Sequence, residues 1–194
     1  MTDSLKYGLS VLAVLLAIFL FNRQSQKSYT ATGSAIFTGE REDVHRVLIT
    51  EAENSLELVR TDTTWTITQA DSLLIKENQI DNLFDRLLAV HQEMLISRKE
   101  EKWEKFGVDD SLGRHLQIFD ESGIELLHYV FGNSGQDYQH NYIRKSNSPE
   151  VYRTNDNVYF LLNYRPTYWG KIPPKPTPEE KDTKIDTASA RYPT

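Results

Sequence analysis

The chain of 194 residues contains no cysteine, which excludes disulfide frameworks, thiolate metal sites, thiol nucleophiles and lipid attachment through an N-terminal Cys. It also lacks a Walker loop, a Gly-x-Gly-x-x-Gly turn and a Gly-x-Ser-x-Gly elbow, so the common backbone cradles for phosphate and the common exposed serine nucleophile are missing. Basic residues are in the minority, 22 Lys and Arg against 28 Asp and Glu, for a net charge of -6. A nucleic-acid surface needs clustered cations with few competing carboxylates, and no nucleic-acid partner is expected. What remains is ordinary globular material: 39% hydrophobic and 11% aromatic residues suffice for one packed core.

Long apolar runs are scarce, and the one that exists lies near the start. After a short flank at residues 1–4, Leu5 to Phe21 reads LKYGLSVLAVLLAIFLF, about 17 residues, the short end of what spans a bilayer. Lys6 stands near its edge, where its ammonium can reach the headgroups. Asn22, Arg23, Gln24, Ser25 and Gln26 follow instead of small residues, so residues 5–21 read as an uncleaved transmembrane signal anchor in contact with lipid. The alternative, a buried core helix, conflicts with the absence of a polar face. Arg23 and Lys27 outnumber Lys6 across the segment, a bias that by itself favours a cytoplasmic domain.

Residues 22–35 are polar and small and read as a linker; residues 36–172 then carry the pattern of an α+β domain, an antiparallel sheet with one main packed helix and a short second helix. Val44 to Ile49, Leu56 to Val59 and Trp65 to Thr68 predict a three-strand meander. Ile80, Leu83, Phe84, Leu87 and Leu88 fall at helical spacing within Glu77 to Val90, with Asp81, Asn82, Asp85 and Arg86 on the wet side. Met94 to Ile96 predicts a strand, Glu100 to Phe106 a short helix, and Gly107 a left-handed cap. Arg114 to Phe119, Ile124 to Phe131, Tyr138 to Lys145 and Glu150 to Arg153 predict two hairpins in series. From Pro166 onward Pro and charge dominate, and residues 173–194 read as a Pro-rich disordered tail.

Candidate chemistry is sparse. Asp109 and Asp110 can be read as a proton-sharing pair or as solvated loop charges. If the Asp120 to Gly123 turn pairs Phe119 with Ile124, His115 stands opposite His128, and a second assumed register places His140 beside it. Three neutral imidazoles in a row would offer a zinc or nickel face; the same residues also read as half-exposed sheet positions, since no carboxylate is placed to orient the rings. No catalytic, cofactor-binding or metal-binding residue is assigned, and the domain is read as non-enzymatic. Tyr152, Tyr159, Phe160, Tyr164, Tyr168 and Trp169, interleaved with Arg144, Arg153 and Arg165, suit either an interaction surface or the closing layer of the core with cation–ring stacking.

Trp65-Thr-Ile, the Ile80 to Leu88 helix, Met94 to Ile96, Phe106-Gly107-Val108-Asp109, Val130-Phe131-Gly132, Tyr142-Ile143-Arg144 and Glu150-Val151-Tyr152 follow one another in the order that resembles domain of unknown function 4340. Val108 in place of Leu and Phe131 in place of Ile are departures. The resemblance implies a member held in the bacterial cytoplasmic membrane by one N-terminal span, with its domain on the periplasmic or extracytoplasmic side; members of the family often carry the module in more than one copy, whereas this chain reads as a single-copy member. The resemblance also implies protein partners in ABC-type export or gliding-motility-like complexes, and supplies no catalytic residue. The function expected is a membrane-tethered accessory or protein-interaction domain. The other readings are a metal-binding protein or metal-dependent enzyme using the His cluster, and a spacer whose tail reaches the wall or outer membrane.

Overall fold

The computed structural model describes residues 12, 14, 16, 33, 35–134 and 138–174. The flank, most of the apolar segment and of the linker, and the tail from residue 175 onward lie outside the described residues. Leu12, Val14 and Leu16 are helical and exposed. No helix among the described residues is long and apolar enough to cross a membrane.

Period-2 alternation builds most of the domain. In β1 (Arg46–Glu51), β2 (Asn54–Thr61) and β3 (Thr64–Ile67), the pairs Val47 and Ile49, Leu56 and Leu58, and Trp65 and Ile67 all turn inward. β4 (Leu74–Ile75) is a short bridge to the C-terminal β10 (Gly170–Lys171). β5 (Gln92–Ser97), β6 (Arg114–Phe119), β7 (Glu125–Ser134), β8 (Asn141–Lys145) and β9 (Val151–Thr154) complete an antiparallel eight-stranded sheet among the described residues, in the order β3-β2-β1-β6-β7-β8-β9-β5. The meander and the two serial hairpins are as expected. Tyr138 differs from the expected strand: its φ of +56° keeps it out of the ladder, and β8 begins at Asn141.

One face of the sheet carries the main core. Helix α1 (Glu77–Asn82) continues as a π-helical turn over Leu83–Leu88, and together they bury Ile80, Leu83, Leu87 and Leu88 in the same core as Leu116, Ile118, Leu127 and Phe131 of the sheet. The π turn places residues five apart on one side, so Leu83 and Leu88 share the buried side with Leu87. Each such side chain contributes about 2 kcal/mol through burial. Phe84 packs against Trp65 with ring centres 6.1 Å apart.

The segment after β9 closes this layer. Val158, Leu161 and Leu162 are buried, and Pro166–Trp169 forms a helical turn, α3, with Pro at its start. Trp169 is buried in the core, an element the proline content of the region concealed. On the opposite face a second, smaller core of Val108, Val130 and Val151 is covered by Trp103, Phe106 and Tyr142. The covering comes from a 3-10 turn, Glu100–Lys102, and helix α2 (Trp103–Phe106), which ends on Gly107 at φ +64°, the left-handed cap expected.

Candidate functional site

Because Leu116 and Ile118 of β6 and Leu127 and Tyr129 of β7 point into the main core, His115 and His128 project from the other face. The expected pairing of Phe119 with Ile124, and of His115 with His128, is corrected by the structure: Phe119 pairs with Glu125, Ile118 with Leu127, Gln117 with His128 and His115 with Val130. The loop holds one residue more than the sequence reading allowed. Asp120 closes it by accepting the Ile124 N–H on its carboxylate and the Gly123 N–H on its carbonyl. Leu126 then bulges, and the two irregularities together slip the register by two, which preserves the faces.

His115 and His128 therefore stand diagonally, and they still meet: His115 Nδ1 lies 3.0 Å from His128 Nε2. The outer nitrogens have acceptors beside them. His115 Nε2 is 3.2 Å from the Asp110 carbonyl oxygen, and His128 Nδ1 is 3.7 Å from Glu125 Oε2. Gln117 Nε2 donates to the same Glu125 oxygen at 3.0 Å. Burial pushes the His128 imidazole below its ordinary pKa; the neighbouring His115 and Arg144 act in the same direction, while Glu125 and Asp110 oppose them.

His140 is not part of this group. The second register assumed from sequence is corrected by the β7–β8 pairing of Tyr129 with Lys145 and Val130 with Arg144, which carries β8 past His128 with Lys145 and Ser146 alongside. His140 Nδ1 is instead 2.7 Å from the Thr154 carbonyl and 3.8 Å from Glu93. Among the described residues no group of three or more His, Asp or Glu stands in an arrangement that could hold a metal ion.

The adjacent carboxylates Asp109 and Asp110 face different partners. Asp109 Oδ1 accepts from the Ser111 hydroxyl and from the N–H groups of Ser111 and Leu112, at 2.6, 3.0 and 2.9 Å. Burial raises its pKa, but these hydrogen bonds outweigh burial and hold it below the ordinary carboxylate value. Asp110 pairs with Arg144, whose side chain is fully buried. Arg144 also donates to the carbonyls of Val108 and Ser146 at 2.9 and 2.8 Å. Sequence reasoning placed Arg144 among the aromatics of the C-terminal end; nothing local marked it as the charge buried under Trp103.

The Phe-Gly and Phe131-Gly132 motifs meet in space. A Cβ on Gly132 would stand 2.0 Å from the Phe106 carbonyl oxygen, so this approach is open to glycine alone. Both motifs therefore serve packing. The aromatic end is likewise the closing layer of the core: Tyr159, Tyr164 and Tyr168 pack against it, and Arg114 of β6 lies over Tyr159 at 4.2 Å. Phe160 is exposed, with the Arg86 guanidinium 5.2 Å from its ring centre.

A family model described as a domain of unknown function (DUF4340) matches residues 65–170, more than half of the 194 residues. The matched span begins at Trp65 in β3, ends at Gly170 in β10, and contains the histidine pair, Arg144 and both glycine motifs. No curated protein and no solved structure matches the chain.

Proposed function

This chain belongs to the DUF4340 family, and from that premise we propose that it is a membrane-tethered accessory domain that binds a protein partner at the outer face of the bacterial cytoplasmic membrane. The observation that carries the reading is the apolar segment Leu5 to Phe21, long enough to anchor the domain and too poorly followed by small residues to be removed as a leader. Tethering raises the effective concentration of the domain near a membrane partner, so a modest contact surface suffices. Partners of the class this family implies are components of an ABC-type export or gliding-motility-like complex. Ile124 and Leu126, both exposed on the β6–β7 hairpin, are the apolar side chains most suited to such a contact, because the C-terminal aromatics are largely spent on the core.

The test is fractionation followed by surface digestion. Full-length chain should stay with membranes through an alkaline carbonate wash, and protease added to spheroplasts should remove the domain. Protein released by carbonate, or a domain shielded from external protease, overturns the reading. Co-purification from detergent then identifies the partner, and Ile124→Asp with Leu126→Asp should abolish it.

A further inference from the structure

The eight-stranded sheet ends on β3 at one side and on β5 at the other. A strand at an edge has one row of backbone N–H and C=O groups without a ladder partner, and such a row recruits another extended chain unless it is short or covered. β3 is short, with four residues from Thr64 to Ile67. β5 has six residues, Gln92 to Ser97, or about 20 Å of edge. One side of β5 pairs with β9. Among the described residues the other side is met only just before the strand begins, where Ala35 bridges to His91 and the Ile36 N–H donates to the Val90 carbonyl at 2.9 Å. Beside the rest of the strand runs a groove of about 250 Å³ lined by Leu95, Ile96, Ser97, Arg98, Lys99 and Lys102. No residue of β9 lines it, so it opens on the unpaired side.

Three cations and no carboxylate line this groove. Arg98 pairs with Glu150 at 3.1 Å and Lys99 with Glu101 at 3.5 Å, but both pairs lie at the surface, where such bonds contribute little and can be exchanged for a partner's carboxylate. The exposed Lys102 has no ion-pair partner among the described residues. Met94, 38% exposed, and the half-buried Ile96 add apolar surface alongside. We propose that the free edge of β5 is a docking site for an extended, carboxylate-bearing segment of a partner protein, which adds as a further strand with its acidic side chains toward Arg98, Lys99 and Lys102. Main-chain pairing supplies the affinity, and the cations supply the choice of partner. The bulges at Glu93 and Ile96 favour a short peptide over a second copy of the chain, because an irregular edge resists long pairing between sheets. Such docking presupposes a protein-binding role for the domain but uses a surface apart from the Ile124 and Leu126 hairpin, since β8 and β9 lie between β7 and β5. Peptide binding in solution does not require the anchor, so tethering and docking can fail separately.

The experiment is fluorescence anisotropy with the full-length chain in detergent and a labelled hexapeptide that alternates valine and glutamate. Binding should saturate, and the same peptide with lysine in place of glutamate should bind at least about tenfold more weakly. Methylation of the peptide's backbone nitrogens should abolish binding, since strand addition needs those N–H groups. Lys99→Glu combined with Lys102→Glu should weaken the glutamate peptide by about tenfold and strengthen the lysine peptide. In the unaltered chain the glutamate peptide should shift the backbone amide resonances of β5 and leave those of β3 unmoved. Absence of saturable binding, binding that survives methylation, or shifts centred outside β5 overturns the proposal. Tighter binding after removal of residues 175–194 also overturns it, by making the chain's own tail, with Glu179, Glu180 and Asp182, the occupant. Self-association that is lost in the charge-reversed variant overturns it in favour of a second copy.

Discussion

The Arg144 guanidinium lies 3.8 Å from the centre of the Trp103 ring, so that a fully buried charge on β8 is roofed by the helix that caps the second face of the sheet. Its partner Asp110 is 74% exposed at the side chain, which leaves the pair half in water. Most of the specificity of this arrangement therefore comes from the Val108 and Ser146 carbonyls and from the indole, and these tie two loops to one strand.

Replacing Arg144 by Met keeps the volume but strands those two carbonyls. Arg144→Met should destabilise the domain by about 3 kcal/mol, whereas Asp110→Asn, which still accepts a hydrogen bond, should cost about 1 kcal/mol. Urea unfolding of the two variants tests the ranking. Equal losses would contradict the roles assigned here.

Gly132→Ala drives a methyl group into the Phe106 carbonyl, where no flexible side chain can give way, and should cost about 3 kcal/mol or more or prevent folding. Gly123→Ala is the control. Its φ of +81° is strained for alanine, but nothing lies within 4 Å of the added carbon, so about 1 kcal/mol is expected. Soluble yield and melting temperature distinguish the two.

Burial, and then the hydrogen bond to Glu150, push the Tyr152 hydroxyl up to about 12 from its ordinary 10.0. A group whose pKa is raised by folding stabilises the fold fully below its unfolded value and loses that contribution as pH rises toward the folded one. Melting temperature should accordingly fall between pH 10 and pH 12, and Tyr152→Phe should flatten that part of the profile. An unchanged slope in the variant would show that other groups set the alkaline limit.

Leu87→Ala opens a cavity beneath the π turn and should cost about 3 kcal/mol. Leu126 is 42% exposed on the bulged strand, and Leu126→Ser should change stability by less than about 0.5 kcal/mol. Thermal melts of the pair measure the contrast. A large loss at Leu126 would mean that the hairpin packs against something other than solvent.

The parts of the fold that were legible beforehand are those where one short stretch of chain carries its own signal. Alternation marked the strands, helical spacing marked Ile80 to Leu88, and Gly107 marked the end of α2 because a left-handed cap favours the residue without a Cβ. Both hairpins were visible from their turn residues, and the DUF4340 motifs were visible from their order. Even the faces of His115 and His128 were correct, since alternation survives a slip of two.

The amino-acid sequence by itself determined which positions seek water and which avoid it, and hence the strands, the helix face and the apolar N-terminal segment, because those preferences are written within a few residues. Only the tertiary structure decided that β1 lies beside β6, that His115 meets His128 diagonally while His140 turns to Thr154, and that Arg144 is buried under Trp103. Those outcomes depend on the length of one loop, a single bulged residue and the packing of segments distant in the chain, and each is a competition between alternatives of similar local cost that closes only when the whole core is filled.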